Sequence, residues 1–293
     1  MVLSVVCIVG CTKEENNNES PSATDTTDSY EPWLETNDVK VASIYTAYRR
    51  FPYWSVSNSG DSSLIGGDYY NCYRTFEWQD NKLASVAWFF DDSVGYTDRY
   101  VYENNRLVKV VCDEIPDCYA NISYQGNKIS KVEKYWEGTL CMQMDFEYNG
   151  NQLCKETVRN TYNGDDVYVC YFEYDGNNIR SIALDNDGTG THVKSFYITY
   201  ENRTNPMKGI IMFTSLFANE GYDFPLMMYM VDMGCAINSD NVVSILLRDE
   251  DGDDVSNISW DYVGGLPHMG IVEERMDNND IYSVDTVIYE YVR

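Results

Sequence analysis

Histidine, proline and positive charge are the scarce features of this chain. Two histidines, His192 and His268, stand far apart, so a histidine-based triad or a zinc centre lacks its usual groups. No CxxC pair, GxSxG, HExxH or P-loop signature is present. Lys plus Arg number 21 against 47 Asp plus Glu, a net charge of −26. Such a balance repels phosphate backbones and anionic headgroups, which argues against nucleic-acid and membrane-surface binding. The apolar run from Met1 to Gly10 is too short for the ~20 residues a spanning helix needs. Proline, at 7 residues, rarely interrupts what lies between.

That apolar opening meets Cys11 directly, and Ile8-Val9-Gly10-Cys11 resembles a bacterial lipobox, although the segment lacks the usual N-terminal positive charge. The expectation is a signal peptide over residues 1–10, acylation of Cys11, and a solvated tether over residues 11–30, where almost nothing can be buried. Lys13-Glu14-Glu15 resembles the export signal of surface lipoproteins in the Bacteroidetes group; a plain polar linker is the alternative. The expected location is the outer membrane, facing the periplasm or the cell exterior, with residues 31–293 forming one domain.

Nine cysteines are present. Cys112 and Cys118 flank a five-residue turn, so a bond between them is geometrically plausible, and export would permit it. Most of the domain's cysteines read as small buried apolar residues.

What the chain has in abundance is tyrosine, at 26 residues, with frequent Asn, Asp and Gly. Phe146-Glu147-Tyr148-Asn149-Gly150-Asn151-Gln152-Leu153 reads as a strand, a tight turn and a second strand, because Asn and Gly tolerate the positive φ of hairpin turns. The pattern recurs at Trp78, Tyr102, Tyr124, Tyr148 and Tyr174, with a degenerate copy at Tyr200, at spacings of 24, 22, 24, 26 and 26. Each unit therefore holds two strands and two turns. One set of turns is tight and constant; the other, such as Asp91–Gly95 and Asp187–Gly190, is variable.

Alternation shows the buried face. Leu140, Met142, Met144 and Phe146 are apolar, and Gln143, Asp145 and Glu147 between them are polar. The wet face is not uniformly polar, since Val167, Val169 and Tyr171 oppose the row ending at Tyr174. The fold class is mainly β: an antiparallel up-and-down meander curled into an incomplete or closed barrel, with about ten strands from Phe76 to Tyr200. A membrane porin needs an apolar lipid-facing band, which the charged alternate faces deny. Residues 30–74 read as irregular, with Val39 to Tyr48 either a short helix or a strand. A short helix before Gly221 and a methionine-rich segment, together near 207–235, read as a plug for the barrel mouth or, alternatively, as an adaptable binding patch. Strands resume at Val242–Leu247, Ile258–Tyr262, Gly270–Glu274 and Ile281–Tyr291.

The repeated aromatic-Glu-Tyr-Asn-Gly-Asn hairpins after a lipobox, with Asn205-Pro206-Met207-Lys208-Gly209 and the closing Ile288-Tyr289-Glu290-Tyr291, resemble uncharacterised Bacteroidetes lipoproteins described as a domain of unknown function with a porin-like fold. The hairpins are also similar to the tyrosine-aspartate repeats of large secreted shell proteins. The missing Gly at Asp80 and Asn104 departs from the pattern. The resemblance implies a curled β-sheet lipoprotein and carries over no catalytic residue.

Chemistry is sparse. The acidic turn around Asp249, Asp251 and Asp253 offers oxygen ligands for calcium without EF-hand spacing, and a solvated turn is the blander reading. No cofactor is implied. The expected function is a non-enzymatic envelope module that binds a glycan, lipid or protein ligand; the alternative is a carboxylate-dependent hydrolase acting on an external polysaccharide.

Overall fold

Sixteen antiparallel strands close on themselves into one barrel, and a separate two-stranded hairpin stands in an early connection. The structure is a computed structural model that describes residues 39–49, 51, 53–56, 62–65, 69–90, 93–161, 166–185, 188–190, 193–210, 240–249, 252–275 and 281–292. Strand β1 (Val41–Arg49) is followed by the small hairpin of β2 (Tyr53–Val56) and β3 (Ser62–Ile65). The meander then runs through β4 (Tyr69–Gln79), β5 (Lys82–Phe90), β6 (Ser93–Glu103), β7 (Arg106–Cys112), β8 (Tyr119–Gln125) and β9 (Lys128–Trp136). It continues with β10 (Thr139–Asn149), β11 (Gln152–Asn160), β12 (Asp166–Asp175), β13 (Asn178–Asp185) and β14 (Val193–Thr204). The last four strands are β15 (Asp240–Asp249), β16 (Gly252–Val263), β17 (Leu266–Arg275) and β18 (Ile281–Tyr291).

Closure settles the choice between an open sheet and a barrel. β1 is the seam, pairing with β4 on one side and with β18 on the other. The segment from Val41 to Tyr48 is thus a strand, and the expected irregular lead-in holds three strands before β4. The turn chemistry of Asn205–Gly209 forms a turn over Pro206–Gly209, and the short helix expected between it and Gly221 lies outside the described residues. Residues 211–239, with most of the methionine-rich segment, lie outside the described residues, as do Cys11 and the tether.

The repeated turn motif has a mechanical explanation. Asp80–Asn81 and Asn104–Asn105 both take positive φ, the form that needs no glycine if Asn or Asp is present. In the Gly126, Gly150 and Gly176 copies only the glycine does so, at φ near 60°, which is the alternative hairpin turn. Beside each turn the register slips by one residue at Trp78, Tyr102, Tyr124, Tyr148, Tyr174, Tyr200 and Tyr262. Such a bulge bends and twists the strand pair, which helps a sheet curl shut.

The aromatic residues lock neighbouring bulges together. Tyr124 Oη donates to Leu107 O at 2.8 Å, Tyr200 Oη to Ile179 O at 2.6 Å and Tyr291 Oη to Pro267 O at 2.5 Å. Trp260 Nε1 donates to Val242 O at 2.9 Å and Trp78 Nε1 to Val41 O at 2.8 Å. Each acceptor lies next to a bulge, on a barrel strand that neighbours the donor's own. The turn cations add a second link: Lys82 sits 5.2 Å over the Tyr102 ring, Arg106 5.4 Å over Tyr124 and Lys128 5.1 Å over Tyr148. Lys82 Nζ also donates to Asn105 Oδ1 at 2.7 Å, and Lys128 Nζ to Gly150 O. The tight rim is therefore an interlocked ring.

Candidate functional site

The inside of the barrel is packed. Alternate residues from β1 and from β4 through β18 form one buried cluster, including Val86, Val110, Val132, Met144, Cys170, Ile182 and Val287. Met207 and Ile210, from the connection after β14, join it. An eight-stranded barrel is about wide enough to be filled by side chains, whereas 16 strands can leave an aqueous channel. Here the inward rows are withdrawn from solvent, so they do not line open water.

Polar groups share that interior. Arg74, Asp98, Lys134 and Glu156 are all buried, in phase with the apolar rows. Arg74 Nη2 donates to Thr46 Oγ1 at 2.5 Å, and its guanidinium lies 5.0 Å over the Trp88 ring. Burial, with Asp98 nearby, pushes the Tyr96 hydroxyl up to about 12, because a phenolate there would lose water and face a carboxylate. Sequence reasoning did not single out these inward charges, although their even numbering places them with the core.

The outer wall carries the opposite chemistry. Lys155 pairs with Glu147 at 2.8 Å, Arg180 with Glu173 at 2.8 Å and Arg248 with Asp253 at 3.1 Å. Arg159 pairs with Asp145 as well. Arg180 and Ser181 both donate to Glu173 and hold its carboxyl below the usual range, the reverse of what a glycosidase general acid requires.

Among the described residues three tyrosines are exposed on this ion-paired wall, Tyr73 on β4 and two that lie near each other. Tyr171 on β12 is 46% exposed and Tyr197 on β14 is 41% exposed. Between them runs β13, which presents small residues: Ala183 is opposite Tyr171, and Ser181 is opposite Tyr197. The two tyrosine-bearing strands are therefore about 10 Å apart across a low floor. Arg248 lies 5.6 Å over the Tyr197 ring. At the variable rim the loop after β13 folds against the wall, with a Cβ at Gly188 falling 3.6 Å from Val167. Gly190 N donates to the buried Asp185 at 2.7 Å, which fastens that loop. The result is a shallow platform with aromatic ends, a small-residue floor and oriented polar groups beside it. Tyr171 was visible in sequence as an aromatic out of phase with the core row; Tyr197 carries the same signal between Phe196 and Ile198.

The other sequence candidates are placed as follows. Cys112 and Cys118 come together as thiols in one small buried cluster with Tyr96, Ile115 and Trp136 against it. Asp249 ends β15, Asp251 lies outside the described residues, and Asp253 accepts hydrogen bonds from Arg248 Nε and Nη2 at 3.1 Å each. Among the described residues no group of three or more His, Cys, Asp or Glu is arranged to hold a metal ion.

No protein-family model and no curated protein matches the chain. Among solved structures it is similar to a porin-like protein from Bacteroides uniformis ATCC 8492, with a TM-score of 0.54, 12% identity, and coverage of 86% of this chain and 96% of that one. It is also similar to a porin-like protein from Bacteroides vulgatus ATCC 8482, with a TM-score of 0.49, 10% identity, and coverage of 87% and 99%. At 12% identity the first likeness shows the fold, a porin-like barrel, and nothing of function.

Proposed function

We propose that this chain is a non-enzymatic envelope lipoprotein, anchored through acylated Cys11, whose barrel stands in water rather than in the bilayer and binds neutral glycan on its outer wall. Charged residues on a lipid-facing strand surface cost about 2–4 kcal/mol each near the bilayer midplane for Lys and Arg. Lys155, Arg159, Arg180 and Arg248 all sit on the outer wall, which favours a water-facing barrel. Residues 12–40 lie between Cys11 and β1 in the sequence.

The observation that carries the binding reading is the exposure of the Tyr171 and Tyr197 rings on either side of Ser181 and Ala183. A pyranose ring has a flat face of C–H groups that packs on an aromatic ring and an equatorial belt of hydroxyls. The hydroxyls would meet Glu173, Ser181 and Arg180, whose donors and acceptors are already oriented by their own contacts. A net charge of −26 selects against anionic polymers.

The test is titration with a panel of neutral oligosaccharides, comparing the parent with Tyr171→Ala, Tyr197→Ala and the double variant. Binding that falls at least tenfold in the double variant, with an unchanged circular dichroism spectrum, supports the platform. A parent that binds no neutral glycan, or a double variant that binds equally well, overturns it.

A further inference from the structure

We infer that Cys112 and Cys118 are joined by a disulfide in the exported protein, forming a clasp at the variable rim between β7 and β8. The inference is independent of the glycan platform, which lies on the outside of other strands.

Register carries the argument. Val110 faces Ala120 and Val111 faces Tyr119, so the next residues in the ladder, Cys112 and Cys118, are directly opposed. Their opposition is confirmed by Cys112 N donating to Cys118 O at 3.0 Å. Directly opposed residues of an antiparallel pair have Cα atoms about 4.5–5.5 Å apart, inside the 4.4–6.8 Å range that disulfides span. The two side chains also lie on the same side of the sheet, since both are buried in one cluster that Ile115 and Trp136 cover.

The loop between them is held by contacts that do not involve sulfur. Asp113 N donates to Thr97 O at 3.0 Å, and Thr97 N donates to Glu114 Oε2 at 2.5 Å. Arg99 pairs with Asp113 at 2.9 Å, and Gly138 N donates to Asp117 O at 3.0 Å. These contacts fasten the loop to β6 on one side and to the β9–β10 turn on the other. Both thiols are thereby placed opposite each other before any bond forms, which lowers the strain that a cross-link imposes.

The oxidant belongs to the disulfide class, either a thiol–disulfide oxidoreductase or a small-molecule disulfide. One cysteine thiolate attacks a sulfur of the oxidant, making a mixed disulfide and expelling one oxidant thiolate. The second cysteine thiolate then attacks the first cysteine's sulfur and expels the other. Two electrons pass to the oxidant, which leaves as two thiols after taking up the two protons that the cysteines release. Because both sulfurs are buried in the folded rim, the exchange belongs to folding, before Ile115 and Trp136 cover the pair.

The test uses the full chain exported to an oxidising compartment and purified without reductant. It is denatured in an alkylating agent, digested with trypsin, and mapped by mass. Cleavage after Lys109 and Lys128 places both cysteines on the peptide 110–128. The expected result is a peptide two hydrogens lighter than the dithiol and unalkylated, which takes two alkyl groups only after reduction. Alkylation of both thiols without reduction, or linkage of either to the peptide carrying Cys141, overturns the inference. As a second measurement, reduction of the folded parent should lower its thermal midpoint by roughly 5 °C, and should not move that of the Cys112→Ser/Cys118→Ser variant. An equal shift in both, or none in the parent, counts against a clasp.

Discussion

Tyr200 shows what an aromatic of the repeat contributes beyond its ring. Its hydroxyl donates to Ile179 O, a carbonyl beside a bulge in the neighbouring strand pair. Tyr200→Phe keeps the half-buried ring and removes the donor, so it should cost about 1–2 kcal/mol in urea unfolding, the penalty of a carbonyl left without that partner. Gly270 makes the complementary point. A Cβ there would fall 2.5 Å from the Trp260 ring, whose indole N–H is committed to Val242 O. Gly270→Ala should therefore destabilise by about 1–3 kcal/mol, with a blue or red shift of tryptophan emission reporting the displaced indole. Cys118 gives a pH signature in the reduced protein. Burial pushes its thiol from the ordinary 9.0 up to about 12, so the folded state retains a proton that the unfolded state releases above pH 9. Stability from this group is complete below pH 9 and declines as pH rises toward 12. The urea midpoint of the reduced parent should fall between pH 8.5 and 10 more steeply than that of Cys118→Ala, and the oxidised protein should lack that difference.

At the scale of the element, the tight hairpins were the most legible part of the chain. Their Asn and Gly turns announce positive φ, and Leu140 to Phe146 announce which face is buried. The bulges were readable in principle. Leu153 and Glu156 both point inward, so the inward face changes from odd to even numbering within one strand. A phase change of that kind is the trace of one extra residue. The turn chemistry is testable at Gly150, where φ is +57° and no atom lies within 4 Å of an added Cβ. Gly150→Ala should cost about 1–2 kcal/mol from backbone strain alone. Gly150→Asn should cost less, because the hairpin can then shift to the turn of Asn104–Asn105, in which both residues take positive φ. Thermal unfolding of the two variants beside the parent decides this.

Over the whole molecule, closure and strand number were the least legible features. β1 meets β18 across more than two hundred residues, and no local signal in Val41–Arg49 names either partner. The buried charges Arg74, Asp98, Lys134 and Glu156 were likewise hidden, since a charged residue in phase with a core row reads as noise until the barrel shuts around it. The platform was half legible, through Tyr171. Together these features give a porin-like fold with its chemistry turned around: apolar rows within and ion pairs without. The central claim is that this barrel faces water. The most direct test is to produce the chain without residues 1–30 and without detergent, then examine it by circular dichroism, size-exclusion chromatography and planar-bilayer recording. The account predicts a monodisperse, cooperatively unfolding β protein that gives no conductance; a chain that folds only in micelles, or that opens ion-conducting channels in the bilayer, would contradict it.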